Sequence, residues 1–264
     1  MADDLAPFDR IAFFSRLRET TPARIGLCRS GVSIATRDHL AFELAHAQAR
    51  DAVHDALDVE ALADALSALS PDVVRVASEA EDRATYLARP DLGRRLNAAS
   101  RGRLAGSASA CDVAFVVADG LSARAVSAHA TPVLARLLPL CAEQRLTAGP
   151  VAIAEQGRVA IGDEIGALLG ARIVCVLIGE RPGLSSPDSL GIYITLAPAR
   201  GRMDAERNCI SNVRADGMSY DEAARRCAWL ITEALRRGAT GVTLKDEYRT
   251  PTIGPSLRAT SKLA

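Results

Sequence analysis

Arg172-Ile173-Val174-Cys175-Val176-Leu177-Ile178-Gly179-Glu180-Arg181-Pro182-Gly183-Leu184-Ser185-Ser186-Pro187-Asp188-Ser189-Leu190-Gly191 decides the fold. An apolar, partly β-branched run stops at Gly179 and opens into a charged loop rich in Gly, Pro and Ser. A strand apolar on both faces belongs in a parallel sheet with helices on either side, where ligands sit beyond the carboxyl ends of the strands. Gly179 frees the backbone, Glu180 and Arg181 offer charge, and Pro182 fixes the chain's path. The loop is longer than the roughly 2–6 residues a plain strand–helix connection needs, which favours a binding loop over a solvated link.

Working outward, Asp112 to Ala118 reads as a second buried strand running into Asp119-Gly120, followed by a helical pattern from Ser122 towards Gln144 that Pro132 should interrupt. Further strands are expected at Val151–Ala154, Arg158–Ile161, Ile192–Leu196 and Gly241–Leu244, with helices at Glu164–Leu169 and Tyr220–Arg237. This alternation predicts an α/β fold with a Rossmann-like, mostly parallel, helix-covered sheet over residues 101–247. Residues 1–100 read as a mainly helical N-terminal region, with Ala/Leu-rich, charge-interleaved patterns at Asp9–Glu19, Arg37–Leu57 and Val59–Leu69. Asp58 stands where it would cap the third of these helices. Asn97–Ala110 is the expected linker, and residues 248–264 have the aperiodic Pro/Thr/Gly/Ser texture of a flexible tail.

The 264 residues are 48% hydrophobic, enough for a full core, and 32 basic residues balance 32 acidic ones. That balance removes the whole-chain field with which nucleic-acid binders gather phosphate, so no nucleic-acid partner is expected. The start of the chain is acidic, and no apolar stretch reaches the roughly 18 residues of a membrane helix, so neither secretion nor insertion is expected. Six cysteines, with no CxxC pair and no nearby His, read as reduced structural thiols in a cytoplasmic protein rather than as zinc ligands.

The candidate sites each have a plain structural reading beside the functional one. Asp119-Gly120-Leu121-Ser122 is either a ligand-facing strand end or a turn in which Ser122 caps the next helix. Gly157 to Glu164 imitates a phosphate loop, but Asp163 and Glu164 replace the Lys and Ser/Thr that phosphate and magnesium require, and a helix N-terminus favours such acids structurally. No GxGxxG fingerprint is present. Ser185 lacks the closing glycine of a nucleophile elbow, and His39, His46, His54 and His129 have no triad context, which argues against a serine hydrolase. Cys209 has Arg207 nearby but no histidine, so a contact role is favoured over a nucleophilic one.

The segments Gly179 to Gly191 and Glu206-Arg207-Asn208-Cys209-Ile210-Ser211-Asn212 resemble the small subunit of ethanolamine ammonia-lyase. The likeness extends through Arg89–Arg95, Ala118–Ser122 and Gly157-Arg158-Val159 to Lys245. It implies a lyase that uses adenosylcobalamin, with its cobalt, to convert ethanolamine to acetaldehyde and ammonia. It also implies a large barrel subunit as partner in a hetero-oligomer, with the cofactor at the interface and ethanolamine bound mainly by that larger chain. Carried over by position, Val159, Glu180 and Cys209 would contact cobalamin: a packing or backbone contact, an acceptor for a corrin amide or nucleotide hydroxyl, and a loop contact, respectively. No residue of this chain is expected to be catalytic or to bind metal directly, and no Asp-x-His-x-x-Gly motif offers cobalt a histidine. Residence in a bacterial microcompartment is left open. A nucleotide-binding enzyme on the same sheet, or a noncatalytic scaffold subunit, remains as the alternative.

Overall fold

The computed structural model describes residues 9–70, 72–106 and 110–249. Its centre is a six-stranded sheet built from β3 (Val73–Ala77), β4 (Cys111–Ala118), β5 (Ala148–Glu155), β6 (Ala171–Gly179), β7 (Leu190–Leu196) and β8 (Arg207–Val213). The spatial order is β3-β5-β4-β6-β7-β8. The β3/β5, β5/β4 and β4/β6 pairs are parallel, whereas β7 and β8 are added antiparallel. A separate hairpin pairs β1 (Arg29–Ser30) with β2 (Ser33–Ile34). The expected α/β architecture with a mostly parallel sheet is present.

Helices cover both faces. On one lie α3 (Val59–Ser67), α6 (Ala123–Glu143) and α8 (Tyr220–Arg237), which bury Leu66, Leu134 and Ile231 against Phe115, Ile153 and Leu177. On the other, α5 (Ala98–Ala105) and α7 (Ile161–Leu168) pack Leu104 and Ile165 on Val116 and Val176. Each such side chain, taken wholly from water, contributes about 1.5–3 kcal/mol. Helices α1 (Arg10–Glu19), α2 (Thr36–His54) and α4 (Arg83–Ala88) complete the set.

Caps mark several of these elements in the sequence. Asp9 accepts from the amides of Ile11 and Ala12, Asp58 from Ala61, Ser122 from Ala125 and Ser219 from Glu222. Gly238 ends α8 in the left-handed conformation with φ 67°.

The structure departs from the sequence reading in definite places. Helix α6 runs unbroken through Pro132 and Pro139, because nine of its residues are buried and that packing outweighs the roughly 3 kcal/mol a mid-helix proline costs. It is long and apolar enough to cross a membrane, yet it serves here as a core helix. Residues 158–161 form a turn into α7 rather than a strand, and Gly241–Thr243 is a 3-10 turn rather than a strand. Strand β3 falls in the first hundred residues, read as helical, and the expected linker holds α5, capped by Asn97. The expected tail lies outside the described residues from position 250 on.

Candidate functional site: an open shelf beyond the sheet's carboxyl edge

The loops after β4, β5 and β6 meet at one edge of the sheet, and Asp119 joins the first two. Its carboxylate is buried and accepts from the amides of Gly120 (2.9 Å), Gln156 (3.0 Å) and Gly157 (2.9 Å), while Arg83 stands 3.4 Å away. Burial pushes its pKa up to about 6, against the opposing pull of those amides and of Arg83. Arg83 itself bridges the Val53 and Gly120 carbonyls, and Tyr86 donates to the Gly157 carbonyl at 3.2 Å. Asp119 is therefore a clamp between loops, and Ser122 caps α6, so the structural reading of both residues holds.

The β4 and β6 ends touch backbone to backbone. Leu121 donates to the Gly179 carbonyl at 2.9 Å, and a Cβ on Gly120, whose φ is +58°, would stand 2.3 Å from that same oxygen. A Cβ on Gly179 would lie 2.1 Å from the Ser122 carbonyl. These two glycines permit close approach of backbone, not of a ligand.

From Gly179 the chain enters the long loop, which is closed on itself. The Glu180 amide donates to the Ser189 carbonyl at 2.9 Å, Gly183 and Ser186 form a bridge, and the Ser122 hydroxyl donates to the Pro187 carbonyl at 2.9 Å. Glu180 Oε2 accepts from the Ser189 hydroxyl at 2.5 Å and from the Asn212 amide at 3.2 Å. Asn212 sits near the end of β8 with φ 60°, in the left-handed region. Oε1, the second oxygen, takes no hydrogen bond among the described residues and lies over Gly191, where a Cβ would approach it to 3.0 Å.

Strand alternation places the rest of the site. Val176, Tyr193 and Cys209 are register partners across β6, β7 and β8, so their side chains share one face, the face covered by α7 farther along the sheet. Helix α7 packs on β6 and β4 and reaches β8 through the Asp163–Arg207 pair, but Cys209 and Ser211 farther along β8 are exposed and Tyr193 is half-buried. Val159, in the turn before α7, packs half-buried against the same cluster as Tyr193. Glu180 and Cys209 thus lie beside Tyr193, with Gly191 under the Glu180 carboxylate, and these residues form a shelf on the sheet face to which Val159 also belongs. Cys209 lies on a strand rather than on the expected loop. Partial desolvation and the nearby Glu180 carboxylate raise its pKa, opposed by the Tyr193 hydroxyl, and this is the reverse of an activated thiol.

The other acids of this region are engaged internally. Arg207 grips Asp163 with two bonds of 2.6 and 2.7 Å in a fully buried pair, and Glu164 accepts from Arg101 at 2.7 Å and from the Leu96 amide at 2.9 Å. Arg181 is exposed and borders a separate cleft of about 610 Å³ against His46, Arg50 and His54 of α2. Among the described residues no three His, Cys, Asp or Glu side chains are grouped to hold a metal ion. Tyr193, Ser189 and Asn212 were not singled out in the sequence. Tyr193 in Gly191-Ile192-Tyr193-Ile194, one large polar-tipped ring inside an otherwise apolar strand, was the available signal.

Comparison with known proteins places this architecture. The family described as ethanolamine ammonia-lyase light chain (EutC) matches residues 12–245. The chain belongs to this family. It is 56% identical to the ethanolamine ammonia-lyase small subunit of Bradyrhizobium diazoefficiens over 246 residues, 91% of this chain and 94% of that one. The small subunit of Pseudomonas putida is 56% identical over 241 residues, covering 90% and 89% of the two chains. That of Xanthomonas campestris is 53% identical over 245 residues, covering 91% and 90%. As a member of a small-subunit family, the chain implies a larger partner.

Proposed function

We propose that this chain is the small subunit of an adenosylcobalamin-dependent ethanolamine ammonia-lyase and that its shelf forms one wall of a cobalamin pocket closed by a large barrel subunit. The observation that carries the reading is the contrast between Glu180 and three internally engaged acids. Asp119, Asp163 and Glu164 have both oxygens engaged by the protein, whereas Glu180 has one oxygen fixed and Oε1 open at the rim of an uncovered face. A held acceptor beside half-buried Val159 and Tyr193 suits a large, flat, amide-bearing macrocycle: the apolar groups accept its face and the carboxylate accepts an amide N–H. In this reading the chain binds and orients while ethanolamine is handled by the partner.

When bound, the cofactor supplies the organic radical that the deamination of ethanolamine to acetaldehyde and ammonia requires. This chain's own contribution is positional. Ser189 and the Asn212 amide hold the Glu180 carboxylate, Val159 and Tyr193 would exclude water from the macrocycle's face, and the raised thiol of Cys209 would stay neutral against it.

The test is Glu180→Gln in the assembled enzyme. Loss of a hydrogen bond to a charged acceptor costs about 1.5–3 kcal/mol, so cobalamin affinity should fall roughly ten- to a hundredfold with little change in Tm. Unchanged affinity, or a lowered Tm without a cofactor effect, would count against this assignment of Glu180.

A further inference from the structure

We infer that His129 is a positioning residue for Glu180, acting through Asp188 of the long loop. The inference rests on the reading of Glu180 as a cobalamin contact. His129 is a buried residue of α6, with Nδ1 at 2.9 Å from the Tyr220 hydroxyl at the start of α8. Its other ring nitrogen, Nε2, is buried, has no hydrogen-bond partner among the described residues, and points to Asp188 Oδ2 at 3.7 Å. When the Tyr220 hydroxyl donates to Nδ1, Nε2 carries the ring proton, and a buried N–H without an acceptor is costly, which favours approach of Asp188, the carboxylate beside it.

Asp188 stands between two residues that already set the site. Pro187 is fastened by the Ser122 hydroxyl, and Ser189 donates its hydroxyl to Glu180 Oε2 while its carbonyl accepts the Glu180 amide. Drawing Asp188 onto α6 therefore fixes the peptide that carries Ser189, and with it the rotamer of Glu180. The loop thus has two anchors to the core before it reaches the shelf: Ser122, which also caps α6, and His129, two turns farther along the same helix. An active-site carboxylate is held to useful tolerance only when the groups behind it are themselves fixed.

Three variants separate the ring's two contacts. His129→Asn keeps a polar group at the Nδ1 position for Tyr220 and loses Asp188, His129→Gln restores a donor towards Asp188, and Tyr220→Phe removes the other contact alone. In the isolated chain, hydrogen exchange at the Glu180, Gly183 and Ser186 amides should quicken in His129→Asn and Asp188→Ala and stay near wild type in His129→Gln and Tyr220→Phe. In the assembled enzyme, His129→Asn and Asp188→Ala should weaken adenosylcobalamin binding severalfold, because Glu180 is then less firmly held, while His129→Gln recovers most of it. Combining His129→Asn with Glu180→Gln should add little to Glu180→Gln alone. Wild-type loop exchange in His129→Asn overturns the inference. So does full cobalamin affinity in His129→Asn when Glu180→Gln has lost it. If Glu180→Gln itself keeps full affinity, it is the reading of Glu180 that fails, and the exchange experiment still decides whether His129 holds the loop.

Discussion

Asp119 illustrates how burial and hydrogen bonding compete over one carboxyl. Desolvation lifts its pKa to about 6, although three amides and Arg83 favour the charged form. A folded-state value above the unfolded one, about 3.9, means that protonation favours the fold. The contribution is complete below pH 4 and is lost as pH rises through 6, a change of about 2–3 kcal/mol. The stability difference between wild type and Asp119→Asn, measured by denaturant titration, should therefore shift against wild type between pH 4 and 6.5. A difference that moves the other way would mean that the amides and Arg83 outweigh desolvation. Cys209 gives a second expectation at this scale. Its thiol is raised, not lowered, so Cys209→Ser should keep substantial activity in the assembled enzyme. Complete loss of turnover in a folded, assembled Ser variant would show that the sulfur itself is required.

At the scale of elements, buried backbone contacts and one ion pair hold the shelf in place. Gly120 joins the β4 end to the β6 end at a distance no side chain fits, and its φ of +58° adds strain for any L residue. Gly120→Ala should lower stability by about 3 kcal/mol or more, seen as a large fall in Tm. The Asp163–Arg207 pair ties α7 to β8, with Thr195 and the Arg202 carbonyl taking further guanidinium hydrogens. Removing one partner strands a buried charge, so Arg207→Met should cost about 3–5 kcal/mol, and the double variant Asp163→Leu/Arg207→Met should recover much of it. A double variant no more stable than the single would show that the pair itself, beyond its mutual neutralisation, is needed.

These elements also show what the sequence could disclose. Strands β4 and β6 were legible because both faces of each are buried and the apolar run is continuous, and Glu180 followed from the loop that β6 delivers. Strand β8 was not, since its residues alternate between α8's apolar face and the open shelf, and Arg207-Asn208-Cys209 reads as polar loop. Pro132 misled because local cost was weighed without the packing that overrides it. Tyr193 and Asn212 reach the site through strand register and a left-handed turn, which linear spacing does not encode.

For the whole molecule, the exposed face at Cys209 and Ser211 on β8 is where the proposal expects a second chain to complete the site. Seven exposed apolar side chains between Ile11 and Leu44, among them Val32 and Leu40, show that the N-terminal helices and hairpin bury little of their own surface. A cofactor held between two chains is buried only when both are present, so cofactor and partner should each tighten the other's binding by the same factor. The direct measurement is acetaldehyde release from ethanolamine with adenosylcobalamin, by this chain alone, by the large subunit alone and by the two mixed. Turnover should appear only in the mixture. Steady turnover by this chain alone would contradict the account and return the search for catalytic groups to its own carboxylates.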